Sequence, residues 1–143
     1  MSENTYTIDF EGYWRKSKIE SIPDESGIYC FYESKFNIEK RTITLLRLLY
    51  IGKSMNVRTR IKMHMNWDNW DSSIREGNEM CFSFAPVDTQ NRDRIEAALI
   101  YKHKPLLNQK NLVSFEYDKT TIISTGKTAL LNTNFTVQKD VEK

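Results

Sequence analysis

Side chains that bind soft metals are scarce in this chain. Two cysteines and two histidines occur among 143 residues. Cys30, Cys81, His64 and His103 show none of the paired spacings of a zinc site. Both cysteines lie inside apolar or aromatic runs, which predicts reduced core thiols rather than a disulfide. No apolar run approaches the roughly 20 residues that a membrane span needs. Residues 1–20 lack the apolar centre of a signal peptide. A cytoplasmic protein with no membrane partner is therefore expected. Gly126-Lys127-Thr128 looks like the end of a phosphate-binding P-loop, but Thr121 stands where that motif needs a glycine, so the motif is excluded. No internal repeat and no linker divides the chain.

A second absence is more informative. Between Glu39 and Asp68 there is no acidic residue, while Lys40, Arg41, Arg47, Lys53, Arg58, Arg60 and Lys62 all fall there. The net charge is only +2, yet a cluster of one sign attracts polyanions locally. Arg41, Arg47 and Arg58 are candidate substrate contacts on this ground. Hydrophobic content of 39% and charged content of 28% suit one globular domain. We place that domain at residues 1–124, with the polar stretch 125–143 as a mobile tail.

What is present reads as short strands and helices. Tyr6, Ile8 and Phe10 alternate, suggesting a short strand or ordered arm, and residues 11–22 suggest a short helix. Pro23 to Gly27 is a turn. Ile28-Tyr29-Cys30-Phe31-Tyr32 and Thr42 to Ile51 read as a hairpin, joined by a protruding polar loop over residues 33–41. Ser54 is placed to cap a following helix, with Val57, Ile61 and Met65 as its apolar stripe. Arg60 and His64 share a face beside that stripe. The stretch Asn66 to Asp71 breaks the helical pattern, and Trp67 and Trp70 are expected to pack rather than to stack on a base. Residues 79–87 form a third strand. A helix from Thr89 or Asn91 to about His103 buries Ile95, Ala98 and Leu99 and stops before Pro105. Two strand-like runs follow between Leu112 and Ser124.

Several of these residues recur together in a known pattern. Gly27-Ile28-Tyr29 and Tyr50-Ile51-Gly52 are followed by Lys53, Arg60 and His64. Glu96 stands on a later helix, and Pro105-Leu106-Leu107-Asn108 closes the series. In this order and register, residues 26–108 resemble the GIY-YIG nuclease family. The resemblance implies an α+β fold: a small three-stranded antiparallel sheet flanked by helices, here with an extra N-terminal helix and a C-terminal strand-like extension. It implies a metal-dependent endonuclease that hydrolyses phosphodiester bonds in nucleic acid, most readily DNA. Glu96 would hold one divalent ion, Mg2+ or Mn2+. Either Tyr29 or Tyr50 would position or deprotonate the attacking water, and Arg60 would bind the scissile phosphate. Lys53, His64 and Asn108 match positions that support the phosphate, a tyrosine or the fold, Asn108 being carried as a substrate contact. The two tripeptides lie farther apart than is common in the family, which enlarges the expected hairpin loop around Phe36 to Arg41.

The chemistry of the residues agrees. A cation and a metal can together stabilise the charge that develops on a cleaved phosphodiester. Magnesium takes oxygen ligands and keeps waters, so one carboxylate plus substrate suffices. A tyrosine with an ordinary pKa of about 10 needs neighbouring cations to act as a base. The alternatives are a non-catalytic nucleic-acid-binding module with the same fold, and a nuclease acting on RNA or single strands. No DNA-reading module is recognisable, so target choice would fall to loops, a homodimer or a separate specificity partner.

Overall fold

A computed structural model describes residues 4–63 and 67–139, with the side chains of residues 67–69 outside the description. Six strands carry the fold: β1 Asn4–Arg15, β2 Gly27–Asn37, β3 Thr42–Ser54, β4 Glu79–Pro86, β5 Thr120–Gly126 and β6 Asn134–Val137. The helices are α1 Val57–Lys62, α2 Trp67–Ser72 and α3 Thr89–His103, with a 3-10 segment at Lys16–Ser21. The strands form a single mixed sheet in the order β3-β2-β4-β1-β5-β6. Among the described residues no helix is long and apolar enough to cross a membrane.

This corrects the expected three-stranded sheet. The antiparallel trio β3-β2-β4 is present, but three more strands extend it. β4 would otherwise present an unpaired row of backbone donors and acceptors, and β1 covers it. Glu11 to Arg15 of β1 pair with Phe84 to Cys81, so Tyr13 and Trp14 belong to a strand where a helix was expected. Gly12 makes the close approach possible: it has φ +143, and a Cβ there would lie 3.0 Å from the Phe82 carbonyl oxygen. Farther back, Asn4 to Phe10 pair in parallel with β5.

The C-terminal stretch is likewise corrected. Residues 134–137 form β6 against β5, with Phe135 and Val137 buried and Asn134 and Thr136 exposed. The expected hairpin loop over residues 33–41 is shorter than foreseen. β2 and β3 stay paired out to Asn37↔Thr42, leaving only residues 38–41 as a turn. The long separation between the tripeptides therefore extends strands rather than a loop. Of the stretch Asn66 to Asp71, read as a break, residues 67–71 lie in α2, and Asn66 is outside the described residues. Met65 and His64 lie outside the described residues.

The alternation of β2 builds two cores. Ile28, Cys30 and Tyr32 face one cluster with Ile51, Ala98, Leu99 and Ile122. Tyr29 and Phe31 face another with Leu49, Val57, Ile61, Trp70 and Phe82. Trp70 stacks on Phe31 with centroids 4.4 Å apart, so it packs as expected. Cys30 and Cys81 are buried free thiols.

One ion cluster fastens the loop after α2 to the sheet. Glu33 is fully buried, and its carboxylate accepts hydrogen bonds from Arg47, Arg75 and Asn78 and from the Arg75 backbone. Burial opposes ionisation, but these donors outweigh it and bring the Glu33 carboxyl down from 4.5 to about 2. A depressed carboxyl stabilises the fold fully above its unfolded pKa and ceases to do so as pH falls through the folded one. The expected window is pH 4.5 down to about 2. A gap of that size corresponds to at most about 3 kcal/mol. Glu33→Gln should lower the melting temperature by roughly 10 °C at neutral pH. Melting curves of both proteins should converge as pH approaches about 2. A constant offset at all pH values would show that the charge of Glu33 is not what stabilises.

Candidate active site

The site begins with two glycines that exist to let chains and rings come close. Gly27 starts β2 against β4, and a Cβ there would lie 2.2 Å from the Ala85 carbonyl oxygen. Tyr29, two residues on, sits directly opposite Gly52 in the β2–β3 register. A Cβ on Gly52 would lie 2.5 Å from Cζ and 2.6 Å from the hydroxyl oxygen of Tyr29. The tyrosine of the first tripeptide thus lies across the glycine of the second. Tyr50 is half-buried beside it, with ring centroids 6.1 Å apart, and leans on Trp70 at 5.5 Å.

Arg60 is brought to these rings by α1. The helix is held down by buried Val57 and Ile61, and its capping differs from expectation. The Ser54 hydroxyl engages Asn56, whereas Asp24, from the turn before β2, accepts from the Thr59 backbone N–H at 3.1 Å. The Val57 N–H also donates to the Glu25 carbonyl at 3.0 Å. A single turn therefore positions both the start of β2 and the helix that carries Arg60.

Glu96 arrives from α3, which Asp88 caps by accepting from the Asn91 N–H at 3.0 Å. Ile95, Ala98 and Leu99 are buried as expected, and Glu96 turns from that stripe toward β3. Only 12% of its side chain is exposed, and Lys53 Nζ stands 3.6 Å from its carboxylate. The same ammonium is 3.6 Å from Asp93, one turn earlier on α3.

Burial dominates the titration of all three oxygen groups. It raises the Glu96 carboxyl above 4.5, opposed chiefly by the charge and hydrogen bond of Lys53. It raises Tyr29 strongly, with Tyr50 adding to the effect and Arg60 opposing it. It raises Tyr50 too; Glu96 reinforces this, while Arg60 and Lys53 oppose it. A buried carboxylate beside phenols is a place where added positive charge is favoured.

These side chains line one cavity of about 570 Å³. Tyr29, Tyr50, Lys53, Arg60, Glu96 and Asn108 all contribute to its wall. Asn108, expected as a substrate contact, is engaged otherwise. Its Oδ1 accepts from the Ile51 N–H at 3.0 Å, and its Nδ2 donates to the Ile51 carbonyl at 2.9 Å. Together with Leu107 N–H donating to the Leu49 carbonyl at 2.8 Å, it seals the outer edge of β3.

Three expected substrate contacts are elsewhere. Arg47 is bound to Glu33 and the Ser73 carbonyl. Arg58 donates to the Glu20 carbonyl and pairs with Asp24. Arg41 is exposed in the turn at the far end of the hairpin, about 26 Å of strand beyond Tyr50 at 3.3 Å per residue. Charge clustered in sequence is thus dispersed by the strand. Gln109, Lys110 and Asn111 also line the cavity and were not foreseen. Their position right after Asn108 was the available signal.

The donor set suits a hard divalent cation. Among the described residues no three His, Cys, Asp or Glu side chains gather into a metal cage. Magnesium does not require one: it binds through one or two carboxylates plus substrate phosphates and retains waters. Glu96 offers such a carboxylate, destabilised by burial in a cavity with room for water and phosphate.

Two curated relatives resemble the chain. UvrABC system protein C of Dictyoglomus thermophilum is 29% identical over 94 residues, which is 65% of this chain and 14% of that protein. UvrABC system protein C of Petrotoga mobilis is 29% identical over 98 residues, again 65% of this chain and 15% of that protein. The chain therefore matches about one-seventh of the length of these relatives. No family model matches the chain, and no solved structure matches it.

Proposed function

We propose that this protein is a divalent-metal-dependent endonuclease of the GIY-YIG kind, hydrolysing phosphodiester bonds in DNA. One observation carries the reading: Tyr29, Tyr50, Lys53, Arg60 and Glu96, contributed by β2, β3, α1 and α3, meet at one cavity. The similarity to UvrABC system protein C supports the same class.

In this reading Arg60 holds the scissile phosphate, its guanidinium matching two phosphoryl oxygens. Tyr50 is the better placed base, because it is half-buried where Tyr29 is 1% exposed. Lys53 and Arg60 both favour its ionised form. Tyr50 first gives its own proton to solvent. The phenolate Oη then takes a proton from water, the resulting hydroxide attacks phosphorus as the bond to the leaving oxygen breaks, and that oxygen takes a proton from solvent. Tyr29 keeps the Tyr50 ring in place and Arg60 within reach. A magnesium or manganese ion held by Glu96 would supply Lewis-acid stabilisation of the phosphate charge.

The experiment is a cleavage survey with the full chain on supercoiled plasmid, single-stranded DNA and RNA, each with magnesium, manganese or chelator. Metal-dependent nicking of plasmid supports the reading. Binding without cleavage of any substrate in any metal would overturn it in favour of a binding module. Cleavage confined to RNA would overturn the choice of DNA.

A further inference from the structure

The segment after α3 is tied back to that helix and to β3, and it carries a cation. Lys104 leaves the helix in the left-handed region, with φ 47, and its N–H donates to the Ile100 carbonyl at 2.7 Å. Its ammonium donates to the Tyr101 carbonyl at 2.8 Å and also to the Leu112 carbonyl, closing residues 104–112 into a loop. Leu107 and Asn108 rivet the middle of that loop to β3. Lys110 follows the rivet by two residues, lines the cavity, and is close enough for its charge to act on Glu96.

The three cavity cations are not equivalent. Lys53 is engaged by Glu96 and Asp93. Arg60 lies beside Tyr29 and serves the reacting phosphate in the reading above. Lys110 has no ion pair among the described residues, and it stands on a different element from the other two. The cavity, at about 570 Å³, is in the range that takes a whole small molecule, far more than one phosphate group fills. A nucleic-acid strand brings a charge at every linkage. We propose that Lys110, presented by the closed loop 104–112, grips the phosphate next to the scissile one and so sets which linkage of a bound strand reaches Arg60.

The proposal rests on the nuclease reading, and its test separates the two. The probe is a labelled oligonucleotide spanning the cut position found in the cleavage survey. A single uncharged methylphosphonate is moved along it, one linkage at a time. Binding is measured with the full chain carrying Glu96→Gln to prevent cleavage, with and without Lys110→Ala. With Lys110 present, one linkage adjacent to the cut should cost about tenfold in affinity when neutralised. Lys110→Ala should weaken the unmodified probe about tenfold, make that one linkage indifferent, and leave the others sensitive. The slope of log affinity against log salt should fall by about 0.7 on a single strand or 0.9 on duplex. Lys110→Arg should restore both binding and the sensitivity of the linkage. Equal affinity of Lys110→Ala and its parent overturns the proposal, as does a linkage profile that Lys110→Ala leaves unchanged. Either result would leave wild-type cleavage, and with it the nuclease reading, intact. Failure of wild type to bind or cleave any strand removes both.

Discussion

Arg60→Ala should reduce the single-turnover rate of DNA cleavage on the order of 10²- to 10³-fold while leaving the fold almost untouched. That range is what the loss of one fixed donor to a developing oxyanion costs in other enzymes. Arg60 is exposed, and α1 is anchored through Val57 and Ile61, which the substitution leaves in place. A surface change of this type shifts stability by about 0.5 kcal/mol or less. The charge lost also acts on the two phenols: without Arg60, both Tyr29 and Tyr50 rise further. The rate deficit should therefore stay constant near neutral pH and narrow only above the ordinary tyrosine value of about 10. Arg60→Lys keeps the charge without the planar fork and should recover only part of the rate. A melting curve alongside the kinetics separates this from unfolding. An Arg60→Ala protein that cleaves at the wild-type rate would remove the phosphate-binding role.

Gly52→Ala should damage both stability and activity through a single methyl group. The backbone at Gly52 is ordinary strand; the obstacle is space. The new carbon would lie 2.5 Å from Cζ of Tyr29, which is 1% exposed, so the buried ring would have to shift. Overpacking of this kind costs about 1–3 kcal/mol, or roughly 5–10 °C in melting temperature. Any shift that relieves the clash moves the Tyr29 ring and its neighbour Tyr50. Misplacement of about 1 Å can cost on the order of 10²-fold in rate. The two effects separate on cooling: below its melting transition the variant is folded, and the rate deficit should persist. Full activity in the folded variant would mean that the Tyr29–Gly52 contact serves packing alone.

That contact also shows why the grouping of the candidate-site residues was legible in the sequence when much of the fold was not. The glycines, the tyrosines, Lys53, Arg60 and Glu96 are fixed by short-range geometry. A strand register puts Tyr29 over Gly52, one helical turn carries Arg60, and a capped helix carries Glu96. The sheet beyond β4 depends on partners far away in the chain. Tyr13 and Trp14 suit a helix or a strand equally by local pattern, and the open edge of β4 decides the matter. β6 has four residues, too few for its alternation to stand out, and it is held by β5. The basic run from Lys40 to Lys62 misled for a related reason. Strand and helix directions scatter neighbouring cations, so that Arg47 turns inward to Glu33 while Arg58 reaches Asp24. Of the supporting roles open to Asn108, its amide takes one in the fold, completing the β3 edge, while the residue also lines the cavity.

Glu96 is the residue on which metal-dependent cleavage most directly depends. The decisive measurement is the initial rate of plasmid nicking for wild type and Glu96→Gln across a magnesium titration, with a melting curve of each protein. Wild type should show saturable activation that chelator abolishes. Glu96→Gln should be slower by on the order of 10³-fold and should not be rescued by excess metal. It should nevertheless melt at or above the wild-type temperature near neutral pH. Burial holds the folded Glu96 carboxyl above 4.5. A carboxyl raised on folding favours the native state when protonated, and that stability is lost as pH climbs from the unfolded value through the folded one. The amide avoids this loss. A Glu96→Gln protein that nicks plasmid at the wild-type rate with the same magnesium dependence would contradict the assignment of this cavity as the catalytic site.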